Sequence, residues 1–215
     1  MVSRDWIAWH AEYDQPESSL ARRLVCVRSY IRQALAVVEN QHPAELQITS
    51  ICAGDGRDLL PVVAERPVRR PMSITLMELD PLLAERAQES ARHVAARVQV
   101  RQADAGDVTT YADLSRADIL LACGVFGNVS REDAHTTIRF LPRLLNPSGI
   151  VIWTRGRADE GDDPSEDIRR HMQIAGFTEL AFTAPQNARF RVGMNQLRPG
   201  ADPDPDPPER VFSFG

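Results

Sequence analysis

Hydrophobic positions along the chain recur at two different spacings, and each spacing predicts a different element. Residues 17–39 carry apolar side chains every three or four positions, which predicts an amphipathic helix with Ser18 and Ser19 as candidate caps. Residues 46–53 instead form a short apolar run that leads into a glycine-containing turn. Leu59 and the apolar residues after it lie on a predicted helix. The order is therefore strand, turn, helix.

The same unit recurs towards the C-terminus. Further strands are predicted at residues 73–79, 97–101, 118–123 and 149–155, and further helices at residues 81–96, 132–145 and 163–175. Residues 178–183 and 189–197 are close enough to form an antiparallel pair. Alternating strands and helices predict an α/β fold of three layers, with a mostly parallel seven-stranded sheet and a terminal antiparallel hairpin.

The pattern divides the chain into three segments. We expect an N-terminal helical lid at residues 1–40, a ligand-binding domain at residues 41–197 and a Pro- and Asp-rich tail at residues 198–215. The tract at residues 198–208 (RPGADPDPDPP) is predicted to be extended and poorly ordered. Residues 211–215 either dock back onto the domain or remain free.

Composition excludes several kinds of chemistry. All 25 basic residues are arginines, so Schiff-base lysines and lysine-containing P-loops are ruled out. The net charge of −5 disfavours a nucleic-acid partner. Three cysteines without a CxxC motif and five histidines without i, i+4 pairs predict no disulfide framework and no metal site. Because the sequence shows neither a signal sequence nor an 18-residue apolar run, we expect a cytoplasmic protein without a membrane partner. The sequence leaves open whether the chain forms a homodimer.

The turn after the first strand carries the strongest sign of function. Residues 52–58 (CAGDGRD) place glycines before a helix N-terminus, where backbone can approach a ligand closely. Glu78 follows about 20 residues later, at the end of the second strand, where an acid can accept hydrogen bonds from ribose hydroxyls. Bulky Leu59 stands where a dinucleotide fingerprint needs a small residue, so NAD is disfavoured. The pair predicts an adenosine-type cofactor.

The run at residues 50–58 (SICAGDGRD) resembles the first motif of class I, Rossmann-like S-adenosylmethionine-dependent methyltransferases. The resemblance continues in chain order at Glu78, at Asp104 and Ala105, at residues 123–128 (CGVFGN) and at the turn of residues 146–149 (NPSG). It spans roughly residues 46–197. It implies S-adenosylmethionine as the cofactor and S-adenosylhomocysteine as the product.

The resemblance also implies which residues hold the cofactor. These are Cys52, Ala53, Gly54, Gly56, Asp58, Glu78, Leu79, Asp104, Ala105, Cys123, Gly124 and Val125. We expect Tyr13, in the N-terminal segment before the first strand, to contact the cofactor as well. Glu78 is similar to the family's ribose-binding acid, and Asp104 and Ala105 to the pair that contacts adenine. The sequence departs from the family at Ser50, where an acid is usual, and at Cys52, where a glycine is usual. Asp55, Asp58 or Asp14 is then left to bind the cofactor's ammonium.

The acceptor side is less defined by sequence. Trp6, Trp9, His10 and Tyr13 fall on one stripe of a short helix, so His10 and Tyr13 are catalytic candidates, as a general base or an orienting hydroxyl. The alternative is an aromatic stripe that packs this segment onto the domain. Phe126, Asn128 and Arg155 follow strands four and five and are predicted to contact the substrate.

The predicted function is transfer of a methyl group to an oxygen or nitrogen of a small molecule. Two alternatives stay open. One is the same fold with another use of the cofactor, such as aminopropyl transfer or non-methylating cyclisation. The other is a non-catalytic scaffold that binds the cofactor, which the altered Ser50 and Cys52 positions make conceivable.

Overall fold

The computed structural model describes residues 12–41, 45–66, 70–157, 163–201, 203, 206 and 208–214. Its centre is a seven-stranded sheet in the order β3-β2-β1-β4-β5-β7-β6. The strands are β1 (Leu46–Ile51), β2 (Met72–Glu78), β3 (Arg97–Gln102), β4 (Ala117–Ala122), β5 (Leu145–Gly156), β6 (Phe177–Thr183) and β7 (Phe190–Leu197). All neighbours pair in parallel except β7, which runs antiparallel to both β5 and β6. The predicted sheet and its terminal hairpin are confirmed.

Helices cover both faces of the sheet and complete three layers. One face packs against α1 (Ser19–Gln41), α2 (Leu60–Ala64) and α3 (Pro81–Ala91). The other packs against α4 (Arg131–Leu144) and α5 (Pro164–Ile174). Short 3-10 helices lie at Glu12–Asp14 and Val108–Tyr111. Among the described residues, no helix has the length and apolar character needed to cross a membrane.

Three helices begin at side-chain caps that the sequence places directly after strands or loops. Asp80 accepts hydrogen bonds from the backbone N–H groups of Leu82 and Leu83, Ser130 accepts one from Asp133, and Asp163 accepts one from Ser165. Such caps satisfy N–H groups that a first helical turn leaves unpaired. The cap at Asp80 also fixes where the chain turns away from β2, beside the candidate site.

The structure differs from the predicted boundaries at two elements. β5 begins at Leu145, directly after α4, because Leu145 already pairs with Ala117 before the register shifts. Residues 146–149 are therefore an irregularity within the strand, with Ser148 at φ 66°. α3 ends at Ala91 rather than at residue 96, because the chain needs the intervening residues to turn into β3.

Trp153 of β5 and Gly193 of β7 form a tight pair within the hairpin side of the sheet. They are register partners, and the buried indole lies over the glycine. The indole N–H donates to Oδ1 of Asn195 at 2.8 Å, and its ring contacts Phe126 and Phe182 at centroid distances of 6.1 and 6.0 Å. A side chain at position 193 would therefore displace a ring that has no room to move.

The end of the C-terminal tail docks back, which is one of the two alternatives left open by the sequence. Val211 and Phe212 are each only 1% exposed and join the hydrophobic cluster beneath α4 and α5. Burial of two large apolar residues anchors the segment despite the Pro- and Asp-rich tract that precedes it.

Candidate functional site

A cavity of about 320 Å³ opens at the carboxyl ends of the parallel strands. It lies where the strand order reverses between β1 and β4, the position at which ligands bind in open α/β sheets. Four strand-end loops build its wall, together with one residue from the C-terminal segment. The lining residues are Cys52, Gly54, Met77, Glu78, Leu79, Asp80, Pro81, Leu83, Ala103, Asp104, Ala105, Cys123, Gly124 and Phe214.

Glu78, the last residue of β2, is the principal charged group of this wall and is only 9% exposed. Its Oε2 accepts a hydrogen bond from the Gly54 N–H at 2.7 Å, and its Oε1 accepts one from the Asp80 N–H at 2.9 Å. Burial raises the pKa of Glu78, and the backbone donors oppose that rise. A carboxylate offers about four acceptor positions, so Glu78 retains some for a ligand in the cavity.

The turn between β1 and α2 brings its backbone to the cavity. Cys52 adopts φ 51°, a left-handed conformation that non-glycine residues rarely adopt, which explains why a glycine is usual there. Gly56 also has a positive φ of 77°, and a Cβ there would lie 2.7 Å from Cδ1 of Leu60. Gly56 therefore allows α2 to pack closely against the turn.

The walls after β3 and β4 are held by hydrogen bonds from neighbouring elements. The Tyr111 hydroxyl donates to the Ala105 carbonyl at 2.6 Å. The Gly124 N–H donates to Oγ1 of Thr154 at 2.8 Å, which joins the loop after β4 to the end of β5. Oδ1 of Asp104 accepts from the Gly106 N–H at 2.8 Å. These contacts keep the cavity shaped without a ligand, as pre-formed sites require.

A family model described as a methyltransferase domain matches residues 50–153. The matched stretch runs from the end of β1 to Trp153 of β5 and includes the four strand-end loops that line the cavity. Residues 50–153 therefore match the methyltransferase domain family, in agreement with the resemblance to class I S-adenosylmethionine-dependent methyltransferases.

Solved structures share the fold of this chain. It is similar to magnesium protoporphyrin IX methyltransferase from Synechocystis PCC 6803 with bound S-adenosylmethionine, with 16% identity, a TM-score of 0.61 and coverage of 81% of this chain and 79% of that chain. CurJ carbon methyltransferase is similar at 18% identity and a TM-score of 0.63, over 87% of this chain and 57% of that one. The [4+2]-cyclase SpnF is similar at 16% identity and a TM-score of 0.57, over 79% of this chain and 81% of that one. No curated protein matches the chain in sequence.

Eight of the predicted cofactor residues line the cavity. They are Cys52, Gly54, Glu78, Leu79, Asp104, Ala105, Cys123 and Gly124. Ala53, Gly56 and Val125 lie in the same loops but outside the lining, and Val125 is fully buried. The sequence reasoning missed Phe214, since nothing in a Pro- and Asp-rich tail signals a return to this wall.

A polar cluster stands behind the Cys123 side of the cavity. It comprises Tyr13, Arg23, Asp58 and Cys123. The Tyr13 hydroxyl is hydrogen-bonded to buried Arg23, and the Cys123 thiol is hydrogen-bonded to the Asp58 carboxylate. Burial raises the pKa of Asp58, and the positive charge of Arg23 counters this rise. The negative charge of Asp58 and the positive charge of Arg23 therefore lie behind Cys123, which lines the cavity.

The other acids considered for the cofactor's ammonium are engaged elsewhere. Arg57 donates to both oxygens of Asp55, at 2.9 Å to each from its Nε. Asp14 is mostly exposed and lies 4.0 Å from Arg57. Of these three acids, Asp58 is therefore the one that contacts a residue of the cavity lining, Cys123.

The two catalytic candidates fare differently. His10 lies outside the described residues. Burial raises the pKa of Tyr13 well above its ordinary value, so its phenol stays protonated at neutral pH. Tyr13 is therefore suited to donate or accept a hydrogen bond as a neutral group and poorly suited to act as a general base.

The three predicted substrate residues do not lie together. Phe126 is 0% exposed and packs edge-on against Trp153, so its ring offers no surface to an acceptor and belongs to the core. Nδ2 of Asn128 donates to the Gly124 carbonyl at 2.5 Å, which braces the cavity wall. Arg155 instead borders a second cavity of about 660 Å³ beyond the end of β5, near Asp163 and Asp167.

Two histidines on helices α4 and α5 form a separate cluster with Asp167. His135 and His171 stack with their ring centroids 3.5 Å apart. Each histidine offers a ring nitrogen and Asp167 a carboxylate oxygen within 4.8 Å of one another, a spacing at which these atoms could bind a metal ion. Arg131 and Arg170 also donate to the Asp167 carboxylate, which holds the pKa of that group well below its usual range. These guanidinium groups already balance its charge, so we interpret the cluster as an ion network that joins α4 to α5.

Proposed function

We propose that the chain binds S-adenosylmethionine in the cavity and transfers its methyl group to an oxygen or nitrogen of a small molecule, releasing S-adenosylhomocysteine. The observation that carries this proposal is the placement of Glu78. A buried carboxylate, fixed by two backbone N–H groups at the switch point of the sheet, still has acceptor positions that face a cavity. Ribose hydroxyls are the donors that suit it.

The adenine end is assigned to the loop after β3. The Asp104 carboxylate can accept from the exocyclic amine, and the backbone of Ala105 can serve a ring nitrogen. Leu79, Pro81 and Leu83 supply apolar surface to the same cavity. An aromatic base with a polar edge needs this combination of flat apolar walls and one or two hydrogen-bonding groups.

The methionine end is assigned to the Cys123 side. The cofactor carries an ammonium and a carboxylate there, and Asp58 with Arg23 offers one charge of each sign. Ser50, which stands where the family usually has an acid, is 5% exposed and cannot supply a charge. Asp58 then replaces the missing acid for the ammonium, and Tyr13 contributes a neutral hydroxyl.

The residues of the chain have mainly a positioning task. S-adenosylmethionine supplies a methyl group that is already activated by a sulfonium. The protein must hold the acceptor atom in line with that methyl at about 3 Å and exclude water. Neither step needs a lysine, in agreement with a chain that has none.

Arg155 favours an acceptor with an anionic group. Its Nε is buried without a hydrogen-bond partner among the described residues, and burial lowers the pKa of its guanidinium. A carboxylate or phosphate in the second cavity would satisfy that donor through a charge-assisted bond. The net charge of −5 makes a small anion a better candidate than a nucleic acid.

The test of the reaction is transfer of label from methyl-labelled S-adenosylmethionine to a panel of small carboxylates, phosphates, alcohols and amines. We expect a small molecule that carries the labelled methyl group, together with one S-adenosylhomocysteine for each methyl group transferred. Cleavage of the bond between the sulfur and the amino-acid chain would leave the label on 5′-methylthioadenosine and would indicate transfer of that chain; the same product from the decarboxylated cofactor would indicate aminopropyl transfer. Binding without any cofactor turnover would instead support cyclisation or a scaffold role.

The raised pKa of Glu78 predicts how cofactor affinity depends on pH. Only the ionised carboxylate accepts hydrogen bonds through both oxygens, so a proton competes with the ribose. Because burial moves the pKa upward, the dissociation constant for S-adenosylhomocysteine should start to rise at a higher pH than an ordinary glutamate would give. Calorimetry over the range from neutral to mildly acidic pH measures this. Constant affinity across that range would contradict the assignment.

A further inference from the structure

The C-terminal strap, residues 208–214, crosses the loop that follows β3. The Val108 N–H donates to the Glu209 carbonyl at 3.1 Å, and the Val211 N–H donates to the Gly106 carbonyl at 2.8 Å. Asp107 and Arg210 form an antiparallel bridge between these bonds. The strap is therefore paired with the backbone next to Asp104 and Ala105, the two residues assigned to adenine.

Arg210 ties the strap to the cavity wall itself. Its Nη2 donates to Oδ2 of Asp104 at 2.7 Å, and its Nη1 donates to the Phe212 carbonyl at 3.1 Å. The other oxygen of Asp104 accepts from the Gly106 N–H. One donor on each oxygen fixes the plane of the carboxylate and leaves acceptor positions for an amine.

Phe214 adds an aromatic ring to the cavity. It lines the same wall as Asp104 and Ala105, forms a bridge with Val129 and contacts the ring of Phe212 at a centroid distance of 5.4 Å. Its side chain is still 39% exposed, although Phe212 two residues earlier is buried. A large apolar ring that lines a ligand cavity and is more than one third exposed can contact a flat ligand.

The close approach of the strap depends on a glycine. A Cβ at Gly106 would lie 2.2 Å from the Phe212 carbonyl oxygen and 2.8 Å from Nη1 of Arg210. Any other residue would push the strap away. The loop after β3 is therefore built to receive the strap at this position.

We propose that the strap is part of the cofactor site: Phe214 packs against the adenine ring, and Arg210 is a positioning residue that orients Asp104 towards the adenine amine. This inference rests on the proposed function. Stacking on an aromatic side chain stabilises a bound base whatever its sequence context, and loss of one such contact weakens binding by about tenfold.

Calorimetry with the full chain separates the role of Phe214 from that of the rest of the site. Phe214→Ala should weaken binding of S-adenosylhomocysteine and of 5′-methylthioadenosine, which lacks the amino-acid end, by the same factor of about tenfold. Phe214→Leu should lose less, because it keeps apolar cover. Ile174→Ala, a change of another exposed apolar residue (72% exposed), is the control and should bind like the original chain.

The orienting role of Arg210 has its own measurement. S-inosylhomocysteine carries an oxygen where the adenine amine stands, so the original chain should prefer S-adenosylhomocysteine. Arg210→Ala should reduce the ratio of the affinities for S-adenosylhomocysteine and S-inosylhomocysteine. If Arg210 had only a structural role, its loss would weaken binding of both ligands by the same factor. Arg210 is about half exposed, so the variant should fold.

The outcomes distinguish the strap from the function. If the original chain binds S-adenosylhomocysteine and Phe214→Ala binds it equally well, the strap proposal is wrong and the proposed function stands. An unchanged ratio of the two ligands in Arg210→Ala would overturn the positioning role. If the original chain binds neither adenosine ligand, both the proposed function and the role of the strap are overturned.

Discussion

Replacing Glu78 with glutamine should weaken binding of S-adenosylhomocysteine by about 100-fold or more, since hydrogen bonds to a charged group contribute about 1.5–3 kcal/mol each. Glutamine keeps the size of the side chain but has only one acceptor oxygen. The N–H groups of Gly54 and Asp80 both point at carboxylate oxygens, so the amide nitrogen would face a donor on one side. The ribose would lose its acceptors as well.

The matched control for this variant is Glu85→Gln, on the exposed side of α3. It removes the same charge from the same part of the chain and should leave cofactor affinity unchanged. Thermal unfolding of both variants checks that the fold persists. Equal affinity of Glu78→Gln and the original chain, measured by calorimetry, would show that Glu78 does not bind the ribose.

Gly193→Ala should cost about 3 kcal/mol of unfolding free energy, at the upper end of the usual range for overpacking a core. The added Cβ would lie 2.2 Å from Cε2 and 2.3 Å from Cζ2 of Trp153. The indole cannot retreat, because Phe126 and Phe182 flank it and Asn195 holds its N–H. For a chain of this size, the melting temperature should fall by roughly 6–12 °C.

Gly156→Ala, on the strand paired with β7, is the control for that loss. Among the residues that the structure describes, a Cβ there would meet only the Arg189 carbonyl oxygen at 3.8 Å, an ordinary contact. We expect a change below about 0.5 kcal/mol. If Gly193→Ala melts at the same temperature as Gly156→Ala, the packing of Trp153 described above is incorrect.

The order of elements could be predicted because buried parallel strands and amphipathic helices leave distinct hydrophobic patterns. The cavity wall around Cys52, Glu78 and Asp104 could also be predicted, since strand-end loops in this topology converge on one edge. The ends of the strands and helices were harder to predict from the sequence. β5 starts at Leu145 because Leu145 pairs with Ala117, and no local sequence pattern encodes a contact between such distant residues.

Contacts between sequence-distant residues account for what the sequence did not predict. Phe126 lies directly after β4, where residues of a ligand site are expected. Its ring instead packs edge-on against Trp153 in the core. The sequence left open whether residues 211–215 dock onto the domain, and the structure shows Val211 and Phe212 buried beneath α4 and α5. The strap and Phe214 therefore emerge only from the folded chain.

Cofactor binding in the cavity is tested most directly by a titration of the purified chain with S-adenosylmethionine, followed by calorimetry and by thermal unfolding. We expect saturable binding at one site per chain. At 100 times the dissociation constant, the ligand should add about 2.7 kcal/mol of stability, which raises the melting temperature by roughly 5–10 °C. Absence of binding heat together with an unchanged melting temperature at millimolar cofactor would show that the cavity is not a site for S-adenosylmethionine.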